Sequence, residues 1–340
     1  MIRQSTSGLI YDKLLDITKP NVKSIQGNRN PKTTAENRPE HLFPLRGDIT
    51  VVWPLEPQLS KLLQLLPPSA NSSHDPEQTL VSRPILLDLI RNGEWISQEF
   101  QKAVVRITPD IVVKICRGDG IIELSNLQHI HPFSRTIPVP KPLGILQIAQ
   151  QTYIFSSFVK GVCLDRIWVD LTLQKKLSIK QQLNTIFTEL RNLPLPSKDG
   201  FLGGGDPPLC LDKRRWTRKS SISIKTEAQF NDFLLSEAHT GPRLVDLVRL
   251  CLREDHRIVM THGDLHARNI IVDNSSDVAI TGVVDWETGG GYPDYWEYVK
   301  AVQIPFIGEH NDWDLFLPNN AIGTFADEYV KDCMIDRVVN

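Results

Sequence analysis

The sequence predicts an α+β protein, with a small antiparallel sheet in its N-terminal half and a mainly helical C-terminal half. Short β-rich runs separated by turns occupy residues 94–159, with one helical pattern among them. After Gly161 the apolar residues recur at helical spacing, most regularly over 171–193. The chain has 340 residues, which is more than one minimal core requires, so two lobes are expected.

The first 82 residues are expected to precede the two lobes. Residues 1–47 are polar and lack a hydrophobic period, which indicates a flexible N-terminal extension. A short strand is predicted at 49–53, and leucines at helical spacing predict a helix over 55–66, before two prolines. We therefore assign residues 48–82 to a helix and linker region.

The N-terminal lobe is expected over residues 83–157, beginning with a short helix at 85–90. Strands are predicted at 94–97, 103–107, 111–116, 143–149 and 152–159. A turn at 108–110 separates two of these strands, and residues 121–131 have a helical period. Because a single helix interrupts the run of strands, we expect an antiparallel sheet with one helix packed on it.

The C-terminal lobe is expected over residues 158–340. Helices are predicted at 171–193, 230–235, 244–253, 292–301 and 321–330. Residues 195–225 are rich in Gly, Pro, Lys and Arg, and they predict a long loop. Two β-branched runs at 270–272 and 280–284, with a polar turn between them, predict a hairpin.

The composition argues against several classes of function. Lys plus Arg number 38 and Asp plus Glu number 40, so the net charge of −2 disfavours a nucleic-acid-binding protein. The five cysteines are far apart, which indicates neither a disulfide framework nor a zinc site. No apolar run approaches the roughly 20 residues that span a bilayer, and no signal-peptide pattern is present. We expect a cytoplasmic protein with reduced thiols and with neither a membrane nor a nucleic acid as partner.

The clearest chemical signal is H-G-D-L-H-A-R-N at 262–269, followed after the hairpin by V-D-W-E at 284–287. A loop presents Asp264, Asn269 enters the first strand, and the second strand ends at Asp285. One hairpin thus brings two carboxylates and an amide to one point. Such oxygen ligands suit Mg²⁺, which keeps several waters and is shared with phosphates. Asp264 would then accept a proton from an attacking hydroxyl.

These runs resemble the catalytic segments of the aminoglycoside phosphotransferase and choline kinase family, distant relatives of protein kinases. Y-P-D-Y-W-E-Y-V-K-A at 292–301 extends the likeness to a fungal-type branch. The resemblance covers about residues 83–335 and implies a bilobal protein kinase-like fold, ATP and Mg²⁺ as cofactors, and a small-molecule acceptor. It implies that Asp264 is the catalytic base and that Asn269 and Asp285 hold the metal. In this pattern His262 is expected to brace the loop by hydrogen bonding.

The resemblance also places the nucleotide site in the N-terminal lobe. The run V-V-K-I at 112–115 resembles the motif whose lysine contacts the α- and β-phosphates. Lys114 needs a counter-charge, and Glu123 on the following helix is the expected partner. The alternative is a lysine on the solvated face of an edge strand. Backbone groups near Ser157 and Val159 fall at the hinge between the lobes and are expected to bond the adenine edge.

Two departures from the protein kinase pattern are visible. Protein kinases cover the phosphates with G-x-G-x-x-G, whereas the first hairpin here reads S-Q-E-F-Q at 97–101 and has no glycine. Backbone amides of a turn can still bind phosphate. The distance from Asp285 to Trp296 is too short for a long activation loop, which favours a small-molecule kinase over a protein kinase.

The acceptor is suggested only by charge. Between Asp285 and Asp314, Lys300 is the single Lys or Arg among five acids: Glu287, Asp294, Glu297, Glu309 and Asp312. If these acids and the aromatic residues among them line the site, the acceptor is a cation such as an amino alcohol or an aminoglycoside-like molecule. The alternative is a solvated acidic face beside aromatic residues of the core.

Two other functions remain open from the sequence. A nucleotide-binding pseudokinase or scaffold would keep the fold and lack the reaction. A metal-dependent hydrolase could use His262, His266 and Asp264 as a ligand cluster. Zincin helices carry Glu after the first His, however, and Gly263 stands at that position here.

Overall fold

The computed structural model describes residues 49–64, 83–98, 102–118, 120–214, 217–273, 275, 277–303 and 312–340. The predicted extension at 1–47, residues 65–82 of the predicted linker region, the turn at 99–101 and Glu309 lie outside the described residues. Among the helices of the described part, none has both the length and the apolar character needed to cross a membrane.

A six-stranded antiparallel sheet builds the N-terminal lobe. Its strands in spatial order are β1 (Ile49–Trp53), β5 (Pro142–Ile148), β6 (Gln151–Ser157), β4 (Ile111–Arg117), β3 (Ala103–Thr108) and β2 (Glu94–Gln98). Strand β4 pairs with β6 on one side and with β3 on the other, so it is central in the sheet. The alternative of an edge-strand lysine at position 114 is therefore wrong.

One face of this sheet is closed by two helices. In β3 the buried residues alternate with partly exposed ones, as a strand with one covered face requires. The buried side chains of β3, β4, β5 and β6 pack against α1 (Pro57–Leu62) and α2 (Arg83–Asn92). The strand and helix predicted within 48–82 thus belong to the sheet and its core.

The other face of the sheet carries α3 (Ile121–Ile130). Leu124 of this helix packs with Ile145 and Ile154, which point away from the first core. Lys114 pairs with Ile154 across the ladder and lies on the same face, because side chains alternate along a strand. The lysine consequently faces the helix that carries Glu123.

Most of the C-terminal lobe is helical. Its helices are α4 (Leu173–Asn192), α5 (Glu227–Leu235), α6 (Pro242–Cys251), α7 (Trp296–Gln303), α8 (Asn319–Ile322) and α9 (Ala326–Val339). The long helix α4 begins after Thr172, whose side-chain oxygen accepts the amide hydrogen of Lys175. Its buried face, with Leu183 and Phe187, packs on the strands that follow the catalytic loop.

Short strands complete this lobe. A three-stranded sheet contains, in spatial order, β12 (Ile280–Val283), β11 (Ile270–Val272) and β7 (Val162–Cys163). Two antiparallel pairs are formed by β8 (Leu211–Lys213) with β9 (Thr217–Lys219) and by β10 (Ile258–Thr261) with β13 (Gly290–Pro293). The predicted hairpin after residue 269 is present as β11 and β12.

The α+β prediction is confirmed, and three of its details are wrong. The helix predicted at 321–330 is interrupted at residues 323–325, which separate α8 from α9. The helix predicted at 292–301 begins only at Trp296, because residues 290–293 form a strand against β10. A Cβ on Gly290 would come within 2.3 Å of the main chain of Gly203, so glycine permits this close approach. The loop predicted at 195–225 contains the β8–β9 hairpin.

Candidate active site

The loop predicted to be catalytic leaves β10 at His262 and turns at Gly263. Gly263 has φ +77°, and a Cβ at this position would lie 2.7 Å from the carbonyl oxygen of Thr288. Glycine is the residue that adopts this conformation at no steric cost. The turn directs Asp264, whose side chain is 5% exposed, toward the interface of the two lobes.

A buried carboxylate and a histidine hold this loop. Glu297 of α7 accepts the backbone N–H groups of His262 at 2.6 Å and Gly263 at 3.2 Å. The His262 ring lies 2.9 Å through Nε2 from the carbonyl oxygen of Val284, and its Nδ1 accepts the N–H of Asp264 at 3.2 Å. Both ring nitrogens are therefore engaged in bracing the loop. This use of His262 disfavours the hydrolase interpretation, which needs a ring nitrogen for a metal.

Asn269 and the hairpin return the chain to Asp264. The side-chain amide nitrogen of Asn269 donates to the backbone carbonyl of Asp264 at 2.8 Å and to its carboxylate at 3.2 Å. Because the nitrogen is engaged, a cation would be met by the amide oxygen. The backbone N–H of Val284 donates to the carbonyl of Asn269 at 2.9 Å, which joins the end of β12 to the loop.

Asp285 follows directly and has a left-handed backbone, with φ 65° and ψ 60°. This conformation is uncommon for a residue other than glycine. Such outliers concentrate at functional sites, where the surrounding structure holds them in place. Here the conformation separates Asp285 from the strand and lets its carboxylate meet Lys114.

Lys114 is the point at which the two lobes meet. Its Nζ lies 2.7 Å from Glu123 and 3.0 Å from Glu287, and it makes a short contact with Asp285. Burial alone would lower the pKa of Lys114, but the three carboxylates outweigh burial and raise this pKa well above its usual value. The lysine is therefore charged, and Glu123 is its partner as the sequence predicts.

Glu287 is shared among several lysines. Its carboxylate accepts from Lys102 at 2.7 and 2.8 Å, and Nζ of Lys213 lies 3.4 Å away. Burial opposes ionisation, but Lys114 and Lys102 hold the pKa of Glu287 well below its usual range. Glu287 is thus an anion that links the N-terminal sheet with the β8–β9 hairpin.

Two cations also surround the Asp264 carboxylate. Arg268 donates to both carboxylate oxygens at 3.1 Å, and Nζ of Lys213 lies 3.5 Å from Oδ2. Burial would raise the pKa of Asp264, but Lys213 and Arg268 outweigh this effect and hold the pKa below its usual value. Asp264 is consequently a charged acceptor at neutral pH, as a base must be.

The residues described so far form a balanced group, which we call the site cluster. It comprises four cations and four carboxylates: Lys102, Lys114, Lys213, Arg268, Glu123, Asp264, Asp285 and Glu287. No role for Lys102, Lys213 or Arg268 is predicted from the sequence. Arg268 lies inside the H-G-D-x-x-x-x-N run and could have been found there. Lys102 and Lys213 reach the cluster only through the tertiary fold.

The hinge residues can be assigned more narrowly than from the sequence. The Ser157 amide donates to the Lys141 carbonyl at 2.9 Å, so this amide is not the group that would meet an adenine edge. Val159 packs its side chain on Gly282, since a Cβ there would lie 2.6 Å from Val159 Cγ1. Of the backbone groups predicted near Ser157 and Val159, the contact with Lys141 removes only the Ser157 amide.

Most of the acids and aromatic residues after Asp285 lie away from the site cluster. Glu287 belongs to it, whereas Glu297 is buried beneath the loop and Asp312 pairs with Lys176 at 2.7 Å. The aromatic residues are core residues: Tyr292, Tyr295, Trp296 and Trp313 are buried. Among the described residues, only Glu287 supports the prediction of an acidic, aromatic pocket for the acceptor.

Three carboxylates lie close enough together to share a cation, and in this structure they surround the Lys114 ammonium. Oxygens of Glu123, Asp285 and Glu287 lie within 4.8 Å of one another, the one such group among the described residues. Carboxylate oxygens suit a hard divalent cation such as Mg²⁺. Neither His262 nor His266 belongs to this group. The donor chemistry therefore fits magnesium and does not fit a zinc hydrolase.

A separate small cavity of about 10 Å³ lies beneath α9, lined in part by Glu227, His256 and Tyr295. A space of this size holds at most one water molecule. It is therefore unrelated to the site cluster and cannot hold a nucleotide.

Comparisons with known proteins agree with this geometry. The sequence model of a family described as "Phosphotransferase enzyme family" matches residues 94–329, well over half of the chain. A thermostable mutant of aminoglycoside phosphotransferase APH(4)-Ia, solved in a ternary complex with ADP and hygromycin B, is 15% identical with a TM-score of 0.51. The match covers 74% of this chain and 87% of that chain.

A second structure of that protein, in a ternary complex with AMP-PNP and hygromycin B, is also 15% identical. It has a TM-score of 0.50 and covers 72% of this chain and 83% of that chain. At this level of identity the similarity concerns the fold alone, and the predicted kinase-like fold is confirmed. No curated protein sequence matches the chain.

Proposed function

We propose, because this chain belongs to the phosphotransferase enzyme family, that it transfers the γ-phosphoryl group of ATP to a hydroxyl group of a small molecule in a magnesium-dependent reaction. The observation that supports this most is the site cluster itself. It joins a buried, charged Asp264 on one lobe to a buried, charged Lys114 on the other. A proton acceptor beside a phosphate-binding cation is the minimum that the reaction needs.

The nucleotide is proposed to lie against the N-terminal lobe over residues 83–157. Lys114 would bind its α- and β-phosphates, with Glu123 holding the lysine in place, and the Val159 backbone would meet the adenine. The solved relatives of similar fold were crystallised with ADP or AMP-PNP, which supports a nucleotide here. Since Lys114 is already paired with three carboxylates, the phosphates would compete with them for its ammonium group.

The acceptor hydroxyl is proposed to lie beside Asp264, in the C-terminal lobe over residues 158–340. The Asp264 carboxylate would take the hydroxyl proton as the oxygen attacks phosphorus. Its orientation is set by Asn269 and Arg268, and the loop is held by Glu297. Because its pKa is low, Asp264 is deprotonated before the acceptor binds.

Asn269 and Asp285 are the proposed ligands of Mg²⁺. When bound, the metal ion would neutralise phosphate charge and orient the phosphates. The Asp285 carboxylate contacts Lys114 and therefore lies beside the residue that is proposed to bind the phosphates. Glu287 is close enough to act as a further oxygen donor.

The acceptor class is proposed to be a small alcohol that carries an amine, such as an amino alcohol or aminoglycoside-like molecule. The two related structures contain hygromycin B, and an amine of the acceptor would compete with the three lysines for the Glu287 carboxylate. We propose a cytoplasmic location because all five cysteines are free thiols. No nucleic acid or membrane is required for this reaction.

The direct test is consumption of Mg-ATP in the presence of a library of amino alcohols, aminoglycosides and neutral alcohols. Phosphorylated products are identified by mass spectrometry. The wild-type protein is compared with Asp264→Asn, which keeps the size of the side chain and removes the base. We expect the variant to lose about 10²–10⁴-fold in rate, the usual worth of a positioned general base. Chelation of Mg²⁺ should abolish turnover in both proteins.

Asp199→Asn is the matched control, because Asp199 is exposed in the loop before the β8–β9 hairpin. It should react at the wild-type rate. Equal, metal-independent activity of the wild-type and Asp264→Asn proteins would instead favour the scaffold. Turnover of neutral alcohols without turnover of any amine would reject the cationic acceptor while leaving phosphotransfer intact.

A further inference from the structure

The hairpin of β8 and β9 delivers one lysine into the site cluster. Nζ of Lys213 lies 3.5 Å from the Asp264 carboxylate and 3.4 Å from Glu287. Glu287 lies in turn within 3.0 Å of Lys114. One ammonium group thus stands between the proposed base and the residues proposed to hold the nucleotide. A phosphoryl group transferred from a nucleotide at Lys114 to an acceptor at Asp264 would pass beside this ammonium group.

The alternation of the strand determines where Lys213 points. Asp212 before it is fully buried, and the side chain of Arg214 after it is 1% exposed. Successive side chains of a strand point to opposite faces. Because both neighbours point into the lobe, Lys213 has to point the other way, out toward the site. Its side chain is 38% exposed, which leaves the ammonium accessible to a ligand.

A buried ion network holds the other face of this hairpin, and we call it the anchor network. Its members are Asp212, Arg214, Arg218, Lys300 and Asp332. Asp212 accepts from Lys300 at 2.8 Å and from Arg214 at 2.7 Å, while Arg218 also donates to it. Buried charges are tolerated only when they are paired and hydrogen-bonded in this way.

The anchor network connects the hairpin to two helices. Lys300 belongs to α7, and Asp332, which pairs with Arg214, belongs to α9. The backbone carbonyl of Lys213 itself accepts from Lys300 at 3.3 Å. The main chain beneath Lys213 is therefore fixed, while its side chain is exposed. This combination is expected of a residue that meets a ligand at a defined position.

We propose that Lys213 is a further catalytic residue, which contacts the transferred γ-phosphoryl group and offsets the charge on its oxygens. This inference rests on the proposed phosphotransfer. In the step, a bond forms between the acceptor oxygen and phosphorus, and the bond from phosphorus to the β–γ bridging oxygen breaks. The acceptor proton goes to Asp264, and ADP leaves with the electron pair. Lys213 neither gains nor loses a proton.

The charge of Lys213 suits this role. Burial would lower its pKa, but Asp264 and Glu287 outweigh burial and raise the pKa above its usual value. Before the nucleotide binds, the ammonium neutralises the same carboxylate that is to act as base. When a phosphoryl group arrives, its oxygens take the ammonium, and the Asp264 carboxylate loses one of its two cationic partners while Arg268 remains. A preorganised cation of this kind acts where charge lies in the transition state.

The test compares the binding of Mg-AMP-PNP and Mg-ADP by isothermal titration calorimetry. The two ligands differ in the γ-phosphate, so their affinity ratio reports contacts to that group. Lys213→Met keeps the length of the side chain and removes its charge. We expect about a 10- to 100-fold loss of affinity for Mg-AMP-PNP, the worth of a hydrogen bond to a charged group, and less than about 2-fold for Mg-ADP. Lys213→Arg should keep most of the wild-type ratio.

The control is Lys198→Met, because Lys198 is an exposed lysine in the preceding loop. This variant should bind both ligands as the wild-type protein does. If Lys213→Met weakens both ligands equally, or neither, the lysine does not contact the γ-phosphoryl group, and the proposed phosphotransfer still stands. If the wild-type protein binds neither nucleotide, the proposed function fails and the role of Lys213 fails with it. A loss confined to Mg-AMP-PNP cannot arise from misfolding, which would weaken both ligands.

Discussion

Replacing Lys300 by methionine tests whether the anchor network stabilises the C-terminal lobe. The Lys300 side chain is 6% exposed, and its Nζ lies 2.8 Å from Asp212, 3.1 Å from Gln303 and 3.3 Å from the carbonyl of Lys213. Its ammonium also lies 4.4 Å from the ring centroid of Trp296. Methionine keeps the length and most of the packing, so the substitution removes mainly the charge.

The expected cost follows from what remains around Asp212. Removing one partner of a buried ion pair costs roughly 3–5 kcal/mol when the other charge is left unpaired. Asp212 keeps Arg214 and Arg218 and is not left unpaired, so the cost lies at or below the lower end of that range. We expect the free energy of unfolding to fall by about 2–3 kcal/mol. The loss of the cation–π contact contributes about 0.5–2 kcal/mol of this sum.

Lys225→Met separates the two contributions. Lys225 is exposed and lies 4.5 Å from the ring centroid of Phe201, nearly the same distance as in the Lys300 contact. It should lose about 0.5–1 kcal/mol, the worth of an exposed cation–π contact. Urea unfolding followed by tryptophan fluorescence measures both variants. Equal losses in the two variants would show that the buried ion pair contributes nothing, and the anchor network would then not be a stabilising feature.

Two further predictions concern the catalytic loop. Glu297→Gln should lower the free energy of unfolding by about 1–3 kcal/mol and also slow Mg-ATP turnover, because the amide can accept from one of the two loop N–H groups and faces the other with its own hydrogens. A lower free energy of unfolding combined with a normal rate of Mg-ATP turnover would contradict this link. Asp264 has a lowered native pKa, so its stabilisation is present above the unfolded value near 3.8 and is lost as the pH falls through the native value. In metal-free urea titrations the wild-type protein should therefore be more stable than Asp264→Asn at pH 6, and the difference should shrink below pH 4; a difference that grows on acidification would refute it.

Much of the N-terminal lobe could be predicted because its information is local. Strand β3 and most of strand β4 alternate between buried and partly exposed residues, and turn residues mark the ends of the strands. Strands β10 and β13 could not be found in this way. β13 consists of Gly290, Gly291, Tyr292 and Pro293, a composition that disfavours a strand. Tertiary contact with β10 and with Gly203 decides its conformation.

In the candidate site, too, some residues could be predicted from local sequence and others depend on tertiary contacts. Asn269 contacts Asp264 five residues before it, so their sequence spacing is sufficient to predict this contact. Lys102 and Lys213 are separated from Glu287 by 185 and 74 residues. Nothing in the sequence near either lysine indicates that the fold brings it into contact with Glu287. The low pKa of Asp264 likewise depends on Lys213, so it could not be inferred from the motif alone.

Helix α7 accounts for the relation between the base and Lys213. Glu297 and Lys300 are three residues apart on this helix and lie on neighbouring parts of its surface. Glu297 holds the loop that carries Asp264, and Lys300 holds the strand that carries Lys213. A rigid helical segment therefore positions both groups, and a shift of α7 would move them together. Helix α7 thus contacts both elements whose side chains meet at 3.5 Å, while α9 holds the same hairpin through Asp332.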